Sequence, residues 1–310
     1  MKYVGLETQQ RRNNMRSVIL LCCFPLLVLG LTYIACIAFA YNFPRKDMAI
    51  QNVAQGFFLN AAPLVVIIIG IWFVIAFLAN TSIINQATGA EPLERKNNKR
   101  VYNLIENLCI SCGASMPQVQ IIEDKGMNAF ASGINESSFT ITLTSGLINE
   151  LNDDELEGVI AHELTHIRNN DVRLMIVAIV FVGIFAILAD ISWRLLRSIG
   201  RGRGKGKGSF LVLVLALLAL IGYGISFLMR FAISREREYM ADAGGASLTK
   251  KPWALASALR KISGHSEISS VHDDSVQQLF IEHRKNASLF SFLSATHPPI
   301  EKRIAILENI

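Results

Sequence analysis

The chain has 310 residues, of which 51% are hydrophobic, and its mean hydropathy is +0.37. These values exclude an ordinary soluble domain and indicate membrane-spanning segments joined to one domain of catalytic size. The net charge of +5 is modest. Because the basic residues flank apolar runs or lie in a glycine-rich loop, we expect anionic lipid rather than nucleic acid as their partner.

Two apolar runs near the N-terminus predict membrane-spanning helices. Ser17 to Tyr41 exceeds the length of a signal-peptide core and has no good cleavage site after it, so we expect it to be retained. Phe57 to Ala79 carries no charge and is long enough to cross a bilayer about 30 Å thick. The basic segment Met1 to Arg16 favours a cytoplasmic N-terminus. We therefore assign residues 1–80 to a membrane anchor with two transmembrane helices.

The polar segment after the second run predicts a helix followed by a small sheet. Apolar residues recur with helical spacing from Glu94 to Leu108. Short strands are expected at Val119 to Ile122, at Ala129 to Ser132 and at Phe139 to Thr144, where apolar residues alternate with threonines. An edge of this sheet offers a place where an extended peptide can pair.

A His-Glu-x-x-His pattern begins at His162, in the middle of a predicted helix. Asn152, followed three residues later by Glu155, marks the expected start of that helix. His162 and His166 lie one turn apart on one face, so both imidazoles can bind one metal ion, and two neutral nitrogens suit zinc. Glu163 is rotated by about 100° from His162 and can reach a water in the open coordination position as a general base. The alternative is an exposed helix with two solvated histidines.

Two further apolar runs, Leu174 to Ala189 and Phe210 to Met229, enclose a basic loop. The loop contains an arginine- and glycine-rich tract at residues 201–208, for which a lipid-facing connector and an RNA-binding segment are the two interpretations. If residues on both sides of these runs join one site, residues 172–230 form a hairpin. That hairpin sends the basic loop to the far side of the membrane, against the positive-inside rule. It either crosses, which we favour, or stays partly embedded.

A Glu-x-x-x-Asp spacing directly after the fourth run supplies further polar groups. Glu238 and Asp242 lie one helical turn apart, so both can face the histidine helix. A zinc site with two histidines needs one more protein ligand and a water, and we assign Glu238 as that ligand. Asp242 is expected to accept a hydrogen bond from His162 and to fix the orientation of its ring. A salt-bridged helix beside the membrane is the alternative interpretation.

These motifs resemble those of the gluzincin family of integral-membrane peptidases, which includes the HtpX heat-shock proteases and the CAAX prenyl proteases. The stretches that carry the resemblance are His162 to His166, Glu238 to Asp242, Met127 to Ala131, Ser234 to Glu238, Thr296 to Pro299 and Arg303. The chain length and the two-plus-two arrangement of apolar runs are most similar to the HtpX group. The resemblance implies a mainly α membrane protein, with transmembrane helices and a gluzincin-type metalloprotease domain that contains a small β-sheet. That domain is expected in two parts, residues 81–171 and 231–310.

The resemblance also implies an activity and a location. It predicts a zinc metalloendopeptidase with one Zn²⁺ per chain, a multi-pass protein of the bacterial inner membrane with its catalytic domain facing the cytoplasm. The expected partners are the lipid bilayer and polypeptide substrates, namely misfolded or damaged membrane proteins in a stress response. Asn128 matches a position that contacts the substrate backbone near zinc, and His297 and Arg303 match residues that bind substrate or stabilise the oxyanion. Without the resemblance, Pro298 and Pro299 are typical of the start of a terminal helix.

The predicted reaction is peptide-bond hydrolysis, with Glu163 transferring the proton of the attacking water. Cleavage of lipidated CAAX peptides is the nearest alternative among enzymes. A metal transporter needs ionisable groups within its spans, and Phe57 to Ala79 and Phe210 to Met229 contain none. A non-catalytic membrane scaffold needs neither the His-Glu-x-x-His nor the Glu-x-x-x-Asp motif, so both of these interpretations are disfavoured.

Overall fold

A computed structural model describes residues 6–42, 44, 48–174, 176, 235–266, 268, 280–281 and 298–310, with isolated positions between 190 and 224. The predicted third and fourth apolar runs and the basic loop between them lie almost entirely outside the described residues. The chain divides into two compact units. The globular unit contains Met1–Met15, Ala79–Ile176 and Arg230–Ile310, and the hydrophobic unit contains Arg16–Leu78 and Val177–Met229.

The described residues form eight helices and four strands, which confirms the predicted mainly α-helical fold with a small sheet. In chain order the helices are α1 (Leu6–Asn42), α2 (Ile50–Thr88), α3 (Lys99–Cys112), α4 (Ser145–Glu150), α5 (Asp153–Arg168), α6 (Arg235–Thr249), α7 (Pro252–Ile262) and α8 (Ile300–Leu307). The strands are β1 (Glu91–Pro92), β2 (Gln118–Ile122), β3 (Ala129–Ser132) and β4 (Thr140–Thr144).

The hydrophobic unit is built on the apolar parts of α1 and α2. The segments Arg11–Asn42 and Ile50–Ile75 are long and apolar enough to cross a membrane, and within the described residues these are the two helices that meet that test. The two helices are joined by edge-to-face ring contacts such as that between Phe39 and Phe57, whose centroids lie 4.8 Å apart. Only 6% of each apolar stretch is buried, so most of these side chains face outward, as expected of helices surrounded by hydrocarbon.

The sheet has the strand order β1-β2-β4-β3, in which β2 and β4 are parallel and the other two pairs are antiparallel. Strands β2 to β4 lie within one residue of their predicted bounds. All residues of β4 are buried. The hydroxyl of Thr142 donates to the side chain of Gln120, and that of Thr144 donates to the carbonyl of Asn128. Covering both faces of β4 places the sheet inside the globular unit, where it supports α5.

Helix α5 is the central helix of the globular unit and packs against α6, α7 and the sheet. Its first turn has the predicted capping box, because Asn152 accepts from the backbone N–H of Glu155 at 2.9 Å while Glu155 accepts from that of Asn152 at 3.0 Å. The Glu155 carboxylate also accepts from Ser257 and Lys261 of α7, each at 2.7 Å. Twelve of the 16 residues of α5 are buried. The helix is therefore held in place on several sides.

Candidate metal centre

His162 and His166 point into the same buried space from successive turns of α5. Their Nε2 atoms lie 3.2 Å apart, and the two residues are 1% and 8% exposed. This burial contradicts the alternative of an exposed helix with two solvated histidines. Two buried imidazoles that turn the same nitrogen toward one point require a shared partner, because each is a polar group removed from water.

Glu238 of α6 brings its carboxylate to the same point. Its oxygens lie 3.7 Å from Nε2 of His162 and 3.5 Å from Nε2 of His166, and the three ligand atoms all lie within 4.8 Å of one another. Tetrahedral bonds of about 2.0–2.2 Å hold neighbouring ligand atoms roughly 3.3–3.6 Å apart. The observed separations match that spacing. Two histidine nitrogens and one carboxylate oxygen therefore form a donor set that fits a divalent metal ion with one open position.

The close approach of α6 to α5 depends on two glycines. A Cβ atom added to Gly244 would lie 2.4 Å from Cγ2 of Thr165, and one added to Gly245 would lie 3.1 Å from the backbone nitrogen of His162. Side chains at these positions would separate the helices. The small residues after Asp242 therefore bring the carboxylates of α6 within reach of the histidines.

Asp242 and Arg303 form a buried ion pair beside His162. Arg303 of α8 donates from Nε and Nη2 to the two oxygens of Asp242, at 2.9 and 2.7 Å. The nearer Asp242 oxygen lies 3.0 Å from Nδ1 of His162, although the ring N–H is not aligned with it as a hydrogen bond. Burial alone would raise the pKa of Asp242, but the charge and hydrogen bonds of Arg303, together with the contact with His162, outweigh burial and lower it to about 2. Asp242 therefore stays an anion next to His162.

Arg303 also faces the metal ligands and a peptide carbonyl. Its Nη1 lies 3.5 Å from the Glu238 carboxylate and donates to the carbonyl oxygen of Ile281 at 3.2 Å. Burial opposes the charge of Arg303, but the carboxylates of Asp242, Glu238 and Glu163 outweigh it and raise its pKa. The guanidinium is thus a permanent positive charge within the centre, close to the ligand positions.

Two buried polar residues that the sequence did not indicate lie beside His166. One contacts the ring directly, and the other contacts the first. Asp171 accepts from Nδ1 of His166 at 3.0 Å, and Asn13 of α1 donates to Asp171 at 2.6 Å. A carboxylate five residues after a ligand histidine is a signal that could have indicated Asp171. No local pattern indicates Asn13, because it is 158 positions from Asp171.

The electrostatics of the centre favour a bound cation. Burial opposes a charge on His166, but its hydrogen bond with Asp171 and the charges of Glu238 and Glu163 outweigh burial and raise the pKa of the ring to about 9. Glu163 is itself 3% exposed. The carboxylates of Asp171, Glu238 and Glu163 all act on His166, and such a concentration of negative charge favours binding of a divalent ion.

One further predicted site residue, Asn128, lies beside the edge strand β3. Asn128 precedes β3, is buried, and donates from Nδ2 to the carbonyl of Ser266 at 2.9 Å. The next residue, Ala129, accepts from the backbone N–H of Ile281 at 2.9 Å. The edge of β3 therefore already makes one backbone contact of the kind predicted for an extended peptide. His297 lies outside the described residues.

Comparison with known proteins gives consistent matches. The model of the family described as peptidase family M48 matches residues 95–310. A protease HtpX homolog of Bacteroides fragilis (strain YCH46) is 56% identical and matches 100% of each chain. A protease HtpX homolog of Listeria monocytogenes serotype 4a (strain HCC23) is 36% identical over 84% of this chain and 90% of the relative.

A solved structure shares the fold. The crystal structure of S. mikatae Ste24p matches with a TM-score of 0.50 and 20% identity, and the match covers 96% of this chain and 66% of that chain. At this identity the likeness concerns the fold alone.

The family and the site agree on the general chemistry. Peptidases hydrolyse polypeptides, and a metallopeptidase requires a metal ion. Within its described part, the globular unit brings together one group of residues that could hold such an ion, namely His162, His166 and Glu238. The family model spans more than two thirds of the chain and includes all three of these residues. The chain is a membrane metalloprotease and belongs to peptidase family M48.

Proposed function

We propose that this protein is a zinc-dependent endopeptidase of the cell inner membrane that hydrolyses misfolded or damaged membrane proteins during stress. One observation carries the proposal: His162, His166 and Glu238 converge within 4.8 Å in a buried space, with Glu163 on the same helix as the histidines. The substrate class rests on the two long apolar helices in the same chain as this site. A protease anchored in the bilayer meets other membrane proteins at high local concentration.

Zinc is the metal that this donor set suits best. Two imidazole nitrogens and one carboxylate oxygen are a common ligand set of catalytic zinc, whereas magnesium and calcium prefer oxygen ligands. The carboxylates of Asp242 and Asp171 face the Nδ1 sides of the two rings. Both Nε2 atoms are therefore left to bind the metal, and the two carboxylates fix the orientation of each ring.

The reaction that fits the site is attack of water on a peptide carbonyl. When bound, zinc supplies a Lewis acid that lowers the pKa of water and polarises the scissile carbonyl. Glu163 takes the proton from the attacking water and delivers it to the leaving nitrogen. The positive charge of Arg303, whose Nη2 lies 3.4 Å from Nε2 of His162, stabilises the negative charge that develops on the carbonyl oxygen.

Substrate binding is proposed at the edge of β3 and at Arg303. Arg303 already donates to one peptide carbonyl, that of Ile281, at 3.2 Å, and the N–H of Ile281 pairs with Ala129. A substrate strand that takes the place of Ile281 can make both contacts: its carbonyl accepts from Arg303, and its N–H donates to Ala129. Asn128 contributes by exchanging its contact with Ser266 for the substrate backbone. We propose His297 as a further donor to the oxyanion.

The proposed topology is multi-pass, with the catalytic domain in the cytoplasm. The globular unit includes Met1–Met15, at the N-terminal end of the first candidate span, and Ala79–Ile176 after the second. Two crossings bring these segments to the same side of the membrane, and Arg11, Arg12 and Arg16 favour the cytoplasm for that side. Arg230–Ile310 also belongs to the globular unit, which supports a hairpin that crosses and returns.

The decisive experiment is cleavage of an unfolded model protein by the detergent-purified chain. Wild-type protein is compared with Glu163→Gln, each with and without added zinc. We expect zinc-dependent cleavage by the wild type and loss of turnover in the variant, with zinc binding unchanged because Glu163 is not a ligand. Near-wild-type activity of Glu163→Gln contradicts the assignment of the base. Absence of stoichiometric zinc binding by the wild type contradicts the ligand assignment.

The alternative predicted from the sequence, cleavage of prenylated CAAX peptides, is separated by substrate choice. A farnesylated peptide and its unmodified counterpart are given to the same purified enzyme at equal concentrations. Under the main proposal the lipid does not increase kcat/KM, because recognition depends on backbone contacts. Cleavage of the farnesylated peptide alone supports the alternative.

A further inference from the structure

Each ligand histidine is backed by a carboxylate, and each carboxylate is held by a donor from a distant part of the chain. Beside His162, Asp242 is held by Arg303. Beside His166, Asp171 is held by Asn13. The second pair involves α1, the helix that contains the first candidate span, so it joins the N-terminal part of that helix to the metal centre.

Each of the two carboxylate oxygens of Asp171 faces a different donor. Oδ2 lies 3.0 Å from Nδ1 of His166, and Oδ1 accepts from Nδ2 of Asn13 at 2.6 Å. Asp171 and Asn13 are both 0% exposed. A buried carboxylate that lacks a donor for one oxygen rotates or takes up a proton. The bond from Asn13 therefore keeps Oδ2 aimed at the ring.

The local backbone shows that this arrangement is built around the end of α5. Asn170 has a positive φ of 58°, a conformation that asparagine tolerates better than most residues and that turns the chain after the helix. This turn places Asp171 back against His166. Asn13 also donates to the carbonyl of Asn169 at 3.0 Å, so it binds the turn and the carboxylate together.

We propose that Asn13 is a positioning residue for the metal centre: by holding Asp171, it fixes the orientation of His166, and it makes the N-terminal part of α1 a component of the catalytic apparatus. The inference rests on the proposed function in taking His166 as a metal ligand. Outer partners of ligand histidines typically contribute 10–100-fold to metal affinity. By linkage, metal binding in turn holds the N-terminal segment in place.

The first test measures zinc affinity of the full-length, detergent-purified protein by competition with a chelator. Asn13→Ala is compared with Asn14→Ala, which removes the same side chain from the next, exposed position of α1. Asn13 acts through Asp171, so we expect Asn13→Ala to weaken zinc binding by about 10-fold, the lower end of the range for a direct partner of a ligand, and to change the visible absorption spectrum of the cobalt-substituted protein. Asn14→Ala should leave both unchanged. Wild-type affinity and spectrum in Asn13→Ala overturn the proposal.

The second test separates positioning from packing. Asn13→Asp keeps the size of the side chain but places a second carboxylate against Asp171, so we expect it to bind zinc more weakly than Asn13→Ala. Adding Asp171→Asn to Asn13→Asp exchanges donor and acceptor and should recover affinity. In that double variant the amide introduced at position 171 can donate to the carboxylate introduced at position 13, and its oxygen can accept from His166. A purely structural role predicts that the single variants lower the melting temperature of the metal-free protein while its zinc affinity stays at the wild-type value.

The outcomes distinguish this inference from the proposed function. If the wild type binds zinc but cuts no polypeptide, the proposed function fails, while the order of zinc affinities still decides the role of Asn13. If the wild type cuts and Glu163→Gln does not, but Asn13→Ala and Asn13→Asp bind zinc normally, the proposed function stands and the inference fails. The melting temperature of each metal-free variant identifies a change that acts through folding alone.

Discussion

The contact between Gly244 and Thr165 makes a sharp prediction about zinc affinity. In Gly244→Ala the added methyl would lie 2.4 Å from Cγ2 of Thr165, and restoring an ordinary carbon–carbon separation of about 3.5 Å requires a shift of roughly 1 Å. Thr165 cannot turn away at low cost, because it is β-branched and its hydroxyl donates to the carbonyl of Ala161 at 2.8 Å. We therefore expect α6 to move away from α5.

The expected magnitudes differ for stability and for metal binding. Overpacking costs about 1–3 kcal/mol, whereas alanine stabilises a helix by about 1 kcal/mol relative to glycine. We therefore expect the free energy of unfolding to fall only modestly. Zinc sites tolerate deviations of about 0.2 Å in ligand distance. Because Glu238 lies on the displaced helix, we expect zinc affinity to fall at least about 10-fold, which corresponds to roughly 1.4 kcal/mol.

The assay is zinc competition with a chelator, alongside thermal unfolding of the metal-free protein. Gly56→Ala is the matched control, because a Cβ there meets nothing within 4 Å, and it should leave zinc affinity unchanged. Adding Thr165→Ala to Gly244→Ala removes Cγ2 and Oγ1 of Thr165, the two atoms nearest to the added methyl. This double variant should recover most of the lost zinc affinity. Wild-type zinc affinity in Gly244→Ala would refute the reasoning that close helix approach positions Glu238.

Three further outcomes follow from the buried charges. Glu238→Ala should weaken zinc binding by more than the 10–100-fold typical of an outer partner, measured by the same competition. Arg303→Met leaves Asp242 buried without its cation and should cost about 3–5 kcal/mol in urea unfolding, partly recovered by adding Asp242→Asn. Burial opposes ionisation of Glu155, but the hydrogen bonds from Lys261, the Asn152 backbone and Ser257, with the charge of Lys261, together lower the folded-state pKa below the ordinary 4.5. The resulting stability is present above about pH 4.5 and is lost as the pH falls through the lowered pKa. Urea midpoints measured down this range should fall less steeply in Glu155→Gln.

Local patterns predicted the elements whose causes are themselves local. The start of α5 follows from the capping pair Asn152 and Glu155, which the structure contains. The helix expected at Glu94 to Leu108 lies at Lys99–Cys112, and it ends at Gly113, whose φ of 64° is the left-handed conformation typical of that position. Ligand residues separated by one helical turn could be identified from their spacing alone. In each case a short stretch contained both the signal and the physical reason.

Contacts between distant segments could not be predicted in the same way. Arg303 was assigned to substrate through family resemblance, and its two hydrogen bonds to Asp242 depend on how α8 packs against α6. Strand β1 has two residues, one of them proline, which is too short for a periodic pattern. Glu155, in an acidic first turn typical of exposed positions, is buried because Ser257 and Lys261 of α7 satisfy its carboxylate.

The division of the globular unit into three chain segments also sets the order in which the enzyme is made. His162 and Arg303 are 141 positions apart, and at about 5–20 residues per second their synthesis is separated by roughly 7–28 s. During that interval the histidines emerge without Glu238 or the ion pair beside them. Until Glu238 has been synthesised, the newborn chain lacks one of its three candidate ligands, so we expect it to be inactive while the preceding apolar runs are inserted.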